Sequence, residues 1–251
     1  MSTPTEPADR HTERPSAKPV LAESEILRSD VTPLIRAIAA VSRFLCRSVT
    51  RVRIEGDTGA IPREGPVILA ANHVSNFDPV MIGAFLTPRL GRRIHWLGKK
   101  EMFDWPIVGY MARNGGVVPV DRQGADVEAF RVARRILDAG HVLMVFPEGT
   151  RSPTGQLQTP KDGLAMLALR TNPTIVPIGF SNTDAVWPKG RPIPRFGGHA
   201  TMRIGEPFRL ADLLPPAIDR KAAKGLATAL IMQRIAALID PRHRGTYGED
   251  R

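Results

Sequence analysis

The sequence predicts a single α/β domain: a largely parallel central sheet flanked by helices, preceded by an amphipathic helix near the N-terminus. Three observations carry this expectation. Between residues 51 and 240, short apolar runs alternate with helical stretches, the pattern of strands joined by crossover helices. The 251 residues are 42% apolar, enough to bury a sizeable core and too apolar for a disordered chain. Cys46 is the sole cysteine, so no internal disulfide staples a small secreted module.

Residues 1–30 come first, with Pro4, Pro7, Pro15 and Pro19 among Ser, Thr and Glu; they read as a disordered tail. A helix is expected from Pro33, with Thr32 as its N-cap, so that residues 31–50 form one unit. At 100° per residue, Leu34, Ile38, Val41, Leu45 and Val49 fall within about 80° of one another. Arg36, Arg43 and Arg47 fall within about 40° on the opposite side. Such a helix either packs on its own domain with solvated arginines or lies in a membrane interface, its arginines meeting anionic headgroups.

The segments Val52–Ile54, Val67–Ala70, Ile94–Leu97, Gly116–Val120, Val142–Phe146, Thr174–Gly179 and Ala200–Ile204 read as strands. Helices are expected near 79–87, 103–113, 125–139 and 162–171, with a last one over roughly 220–239. The 125–139 segment carries Asp126 and Glu128 early, arginines later, and Gly140 in the position after its end. Neither a repeat nor a linker interrupts 51–240, which reads as one domain followed by a C-terminal tail, 241–251.

The net charge of +10 is unevenly placed. Residues 1–30 hold six acids against four bases, a net of −2, which leaves +12 on the remaining 221 residues. A basic body favours polyanionic surfaces: nucleic acid, anionic lipid or phosphorylated substrates. Aromatic residues make up only 6%, and neither zinc-finger spacing nor an RRM signature is present, so nucleic acid is not the expected partner. The longest uncharged stretches, such as 65–77 and 171–183, hold 13 residues, short of the ~20 that span a bilayer. Residues 1–30 lack the apolar core of a signal peptide, and a cytoplasmic protein is expected.

Two loops carry candidate chemistry. The first, Asn72-His73-Val74-Ser75-Asn76-Phe77-Asp78-Pro79, follows an apolar run. Asp78 before Pro79 reads as a helix start, Asp as the cap and Pro in the first turn. That places His73 between a strand's C-terminal end and a helix N-terminus, the crevice where open α/β sheets hold ligands. If the loop returns Asp78 to the imidazole, the carboxylate fixes the tautomer and the other ring nitrogen becomes a base. If it does not, Asp78 is only a cap and His73 a loop histidine.

The second loop, Phe146-Pro147-Glu148-Gly149-Thr150-Arg151-Ser152, again follows an apolar run and offers an acid, a hydroxyl and a guanidinium fork suited to phosphate. Standing alone it also fits a surface turn with an incidental ion pair. Arg89, Arg92, Arg93, Lys99 and Lys100 make a third, basic segment, and Arg122 follows a strand and so joins the same edge. No G-x-S-x-G elbow, Walker A or dinucleotide fingerprint is present. The six histidines show no metal-ligand spacing, so no metal is expected.

These blocks resemble the 1-acylglycerol-3-phosphate (lysophosphatidate) acyltransferases of glycerolipid synthesis. Asn72-His73…Asp78 is similar to that family's His-x4-Asp motif. Lys100-Glu101…Pro106…Gly109 with Gly116…Asp121-Arg122 resembles its second block, Phe146 to Ser152 its third, and Val176-Pro177-Ile178-Gly179 its fourth. Ile204-Gly205-Glu206-Pro207 looks like its closing strand and turn, and the resemblance covers roughly residues 50–210. Met102, where the family often has Leu, is a volume-conserving departure.

The resemblance implies a glycerol-3-phosphate acyltransferase-like fold and acyl transfer to the free hydroxyl of 1-acyl-glycerol-3-phosphate, giving phosphatidate. It implies His73 as general base oriented by Asp78, with Glu148, Gly149, Thr150, Arg151, Arg122 and Lys100 around the glycerol phosphate. No bound cofactor is implied; acyl-CoA or acyl-carrier-protein enters as cosubstrate, and an anionic membrane surface on the cytoplasmic side is the expected partner. Three other readings stand beside this one. They are an acyltransferase for another lysophospholipid, lyso-ornithine lipid or glycolipid; a thioesterase using His73 to activate water; and a non-enzymatic anionic-lipid-binding protein.

Overall fold

The computed structural model describes residues 28–120 and 126–248. The expected disordered tail therefore lies almost wholly outside the described residues, as do Asp121 and Arg122. At the tail's described end, the carbonyl of Ser29 accepts from the Arg93 amide at 2.9 Å.

Helix α1 (Pro33–Val49) begins where expected, Thr32 Oγ1 accepting from the Ile35 amide at 3.2 Å. A one-residue turn at Thr50 leads into β1 (Arg51–Glu55). Strand β2 (Val67–Ala71) is followed by α2 (Phe77–Phe85) and the short α3 (Thr87–Leu90). Next come β3 (Ile94–Lys99), a 3-10 turn (Lys100–Asp104), α4 (Pro106–Asn114), β4 (Val117–Val120), α5 (Asp126–Asp138) and β5 (Val142–Val145). Helix α6 (Gly163–Thr171), β6 (Thr174–Ser181), α7 (Thr183–Val186), β7 (His199–Ile204) and α8 (Arg220–Leu238) complete the order. Two departures from the expected helices have a proline cause. Pro88 opens a separate short α3 at the end of the expected 79–87 helix, which runs over 77–85, and Pro106 opens α4, leaving 100–104 as a 3-10 turn.

The strands form one seven-stranded sheet in the order β1-β7-β6-β2-β5-β3-β4, parallel throughout except where β7 runs against β6. Alternation along β2 shows why this strand is apolar at every position. Val67, Leu69 and Ala71 join one core layer with Met81, Ile82 and Phe85 of α2, whereas Ile68 and Ala70 join the other with α5, α6 and α8. All five residues of β2 are buried.

The connection from β2 runs outward past β5 to β3, whereas that from β5 runs the opposite way, over β2, to β6. Adjacent strands whose connections diverge open a crevice at their C-terminal ends, and here it lies between β2 and β5. The loops holding His73 and Glu148 leave from those two ends.

The face that α1 packs on the domain is not its most apolar stripe. Ile35, Ala39 and Cys46 are buried, Cys46 within the layer of α2, about 120° round the helix from the stripe of Leu34, Val41 and Leu45, which stays exposed with Phe44. Ala39 and Cys46 are small side chains on the face of α1 that packs on the domain, where α1 meets α2. The expected C-terminal tail also departs from a free end. Residues 241–248 fold back through two 3-10 turns, burying His243, whose Nδ1 bonds the Gly155 carbonyl and whose Nε2 accepts from the Asn182 amide at 3.2 Å.

Candidate active site

The site is built from the turn after β2. Asn72 is fully buried, and its side chain donates to the Phe180 carbonyl at 3.0 Å and accepts from the Phe180 amide at 2.7 Å. It thus continues the β2–β6 ladder with side-chain atoms while the backbone turns away. His73 is placed directly at the end of the sheet, its ring stacked on Phe146 with centroids 3.9 Å apart.

Asp78 is not the helix cap that its place before Pro79 suggests. Helix α2 starts at Phe77, whose amide donates to Ser75 Oγ at 2.9 Å, and Asp78 sits in the first turn. A fully buried carboxylate needs donors, and the folded-over loop supplies them. Asp78 Oδ2 accepts from the Val74 and Ser75 amides, both at 2.8 Å, and bonds His73 Nδ1 at 2.9 Å. Oδ1 accepts from Thr183 Oγ1 at 2.6 Å. With Nδ1–H directed at the carboxylate, the lone pair of the imidazole is on Nε2, a tautomer assigned from this network. The His73 side chain is 16% exposed, so the basic nitrogen is open to a substrate while its partner is dry.

The turn after β5 closes over the other side. Glu148 is buried, its Oε1 accepting from the His73 amide at 2.6 Å and its Oε2 from the Gln158 amide at 3.0 Å and Gln158 Nε2 at 3.3 Å. Burial pushes its carboxyl up to about 7, against these amides, which pull it down. In this structure Glu148 therefore holds the backbone of His73. The Ser152 amide returns a bond to the His73 carbonyl at 2.8 Å, so the two loops clasp each other.

Gly149 is half-buried at φ 70°, and a Cβ there would meet Lys161 Cε at 3.0 Å. The Lys161 amide donates to the Pro147 carbonyl at 2.8 Å and so brings that lysine beside the turn. Thr150 is exposed. Arg151 Nη1 donates to Asn76 Oδ1, which joins the phosphate-suited guanidinium to the His73 loop. Lys100 is exposed at the start of the turn after β3, on the same edge of the sheet.

The structure thus brings together His73, Asp78, Glu148 and Arg151, leaves Lys100 on the neighbouring strand end, and does not describe Arg122. Sequence reasoning did not reach Thr183, Gln158 or Asn76, whose roles depend on which loops meet. Among the described residues, no group of three or more His, Cys, Asp or Glu side chains is placed to hold a metal ion.

Residues 51–181, from β1 to the end of β6, match the sequence model of the acyltransferase family. The chain belongs to that family. Among its curated relatives, a chloroplastic 1-acyl-sn-glycerol-3-phosphate acyltransferase from Arabidopsis thaliana is 30% identical over 142 residues, covering 56% of this chain and 38% of that one. A lyso-ornithine lipid O-acyltransferase from Pseudomonas aeruginosa is 31% identical over 157 residues, covering 61% of this chain and 57% of its own. The chain thus spans about half or less of these relatives' lengths. The crystal structure of the 1-acyl-sn-glycerophosphate acyltransferase PlsC from Thermotoga maritima superimposes with a TM-score of 0.62 at 26% identity, covering 79% and 78% of the two chains. The acyltransferase fold accounts for the expected parallel sheet and for both loops at its edge.

Proposed function

We propose that this acyltransferase moves a fatty acyl group from an acyl thioester to the free hydroxyl of 1-acyl-glycerol-3-phosphate, giving phosphatidate. The observation that carries the reading is the His73–Asp78 pair: a buried, four-donor carboxylate fixing an accessible imidazole. His73 Nε2 takes the proton of the acceptor hydroxyl as its oxygen attacks the thioester carbonyl. The tetrahedral intermediate collapses with loss of the thiolate, and the imidazolium returns the proton to that sulfur. The Asp78 carboxylate, bonded to Nδ1, stabilises the transient imidazolium. No metal or bound cofactor enters these steps.

Arg151, tied to the histidine loop through Asn76, offers the rest of its fork to the acceptor's phosphate, with Gly149, Thr150 and Lys100 at the same edge, and the family resemblance adds Arg122 to this set. Names among the relatives support either lysophosphatidate or lyso-ornithine lipid as the acceptor class. The phosphate-suited arginine favours the former.

Lipid substrates call for a site at a bilayer surface, which this reading sets on the cytoplasmic side, and two neighbouring helices offer the surface. Val41, Phe44 and Leu45 of α1 are exposed, as are Tyr110 and Met111 of α4 and Trp105 just before it. No described helix is long and apolar enough to cross a membrane, and an interfacial position is proposed instead.

The test is acyl transfer from long-chain acyl-CoA or acyl-carrier-protein to lysophosphatidate, with lyso-ornithine lipid in parallel, for wild type beside His73→Ala. Phosphatidate from wild type and a loss of ~10²-fold or more in the variant are expected. Activity with lyso-ornithine lipid alone changes the acceptor. Free fatty acid without an acceptor makes the protein a thioesterase, and silence with intact lipid binding makes it a binding protein.

A further inference from the structure

A second basic cleft, of about 490 Å³, lies outside the loops described above. Its walls include Arg47 at the end of α1, Thr50 and Arg51 in the turn, Arg53 on β1, and Gly198 and His199 entering β7. No acid lines it. Among the described residues Arg47, Arg51 and Arg53 have no carboxylate partner; Arg47 lies over the Phe85 ring at 5.6 Å. Glu55, the next outward residue of β1, is taken by Arg203 at 2.7 Å. His199 faces the Asn182 side-chain amide at 3.0 Å through Nε2, and Nδ1 is then its donor. Uncompensated like charges in one concavity repel each other and favour an anion that bridges them.

The topology sets where that anion sits relative to the chemistry. Arg51 pairs with His199, and the start of β7 pairs with the end of β6, so this cleft opens on the same edge as His73. From β2 the sheet crosses β6 and β7 to reach β1, three strand spacings or about 14 Å. An extended chain advances roughly 1.2 Å per bond. The acceptor's own phosphate lies four bonds from its reacting hydroxyl, about 5 Å by that advance, too near to fill the cleft. The phosphate ending a pantetheine arm lies thirteen bonds from the thioester sulfur, about 15 Å when extended, which matches.

We propose that this cleft binds the phosphate at the far end of the donor's phosphopantetheine arm, the group shared by coenzyme A and acyl carrier proteins. The inference rests on the chain being a thioester-dependent acyltransferase and names where that donor is held. Arg51 and Arg53 supply the fork-like donors, and Arg47 and His199 close the ends. An anchored phosphate positions the thioester at the crevice between β2 and β5 without adding contacts to the acceptor.

Arg51 and Arg53 are exposed on an edge strand, so Arg51→Ala/Arg53→Ala tests the cleft with little risk to the fold. Free coenzyme A, 4′-phosphopantetheine and holo acyl carrier protein are each titrated onto wild type and variant. Weakening of at least tenfold in the variant is expected for whichever carrier the protein uses. In turnover, KM for that donor rises at least tenfold, while kcat and KM for the acceptor stay within about twofold of wild type. With an S-acyl-N-acetylcysteamine donor, which has no phosphate, the two proteins perform alike. Sensitivity confined to coenzyme A or to the carrier protein identifies the source of the phosphate.

Equal binding of all three ligands by both proteins overturns the proposal. So does an equal defect with the phosphate-free donor, which would make the arginines structural. Loss of binding to anionic vesicles with ligand binding intact would assign the cleft to lipid headgroups instead. Phosphopantetheine binding that depends on the arginines, in a wild type that transfers no acyl group, keeps the cleft and removes the reaction.

Discussion

Thr183 Oγ1 donates to Asp78 Oδ1 at 2.6 Å, across 105 residues of chain, and both side chains are fully buried. Asp78 therefore has one oxygen committed to the histidine loop and the other to the turn after β6. Thr183→Val keeps the shape and removes the donor, leaving a buried charge short of one bond at a cost of about 1–3 kcal/mol. Asp78 is then freer to rotate away from His73. Urea unfolding is expected to show that loss, and kcat to fall about tenfold or more; Thr183→Ser restores both. A valine variant with full activity and stability would remove the link.

The raised carboxyl of Glu148 makes stability depend on pH in a stated direction. Its value of about 7 lies above the 4.5 of an exposed glutamate, so the folded protein holds this proton more tightly than the unfolded chain. Its contribution is most favourable at and below pH 4.5, declines as pH rises to about 7, and is flat above. Relative to Glu148→Gln, wild type is expected to gain up to about 3 kcal/mol between pH 8 and pH 5. Denaturant unfolding of both proteins at the two values measures this, and parallel pH profiles would refute it. The comparison cancels groups common to both proteins.

Much of the frame was legible because it is local. Pro33, Thr32 and the apolar runs fix the start of α1 and the strands without reference to distant chain. The His73–Asp78 bond was a legible option, since five residues of one loop span it. Thr183 and Gln158 were not legible, because each meets its carboxylate only through the register of strands far apart in sequence. Periodicity located the apolar stripe of α1 but left open whether it meets the domain or a membrane, because the pattern does not say which face packs on α2. Ala39 and Cys46 look unremarkable in a hydrophobic pattern yet lie on that face.

Gly179 shows what one sequence block holds in place. It lies on β6, where an added Cβ would meet Leu238 Cβ at 2.6 Å and the Leu238 carbonyl oxygen at 2.7 Å. The end of α8 therefore rests directly on the strand backbone. A backbone atom cannot swing aside as a side-chain tip can, so Gly179→Ala forces α8 away from the sheet, at about 1–3 kcal/mol. A drop in the midpoint of thermal unfolding is expected, and an unchanged midpoint would show that α8 can shift freely.

The exposed apolar residues of α1 give the membrane reading a clean test. Deleting residues 1–50 would remove Ile35, Ala39 and Cys46 from the core, so a loss of vesicle binding would be confounded with unfolding. Phe44 and Leu45 are 71% and 53% exposed and can be replaced without touching the packed face. Full burial of such side chains is worth about 1.5–3 kcal/mol each, and partial insertion about half that. Phe44→Ser/Leu45→Ser is therefore expected to lower partitioning onto vesicles containing anionic lipid at least tenfold, with thermal stability unchanged. Arg36, Arg43 and Arg47 lie on the far side of α1 from Leu34, Val41 and Leu45, so added salt should weaken wild type only in part, the apolar share persisting. Co-sedimentation equal to wild type would show that α1 is merely a packed helix of the domain, its apolar stripe facing water.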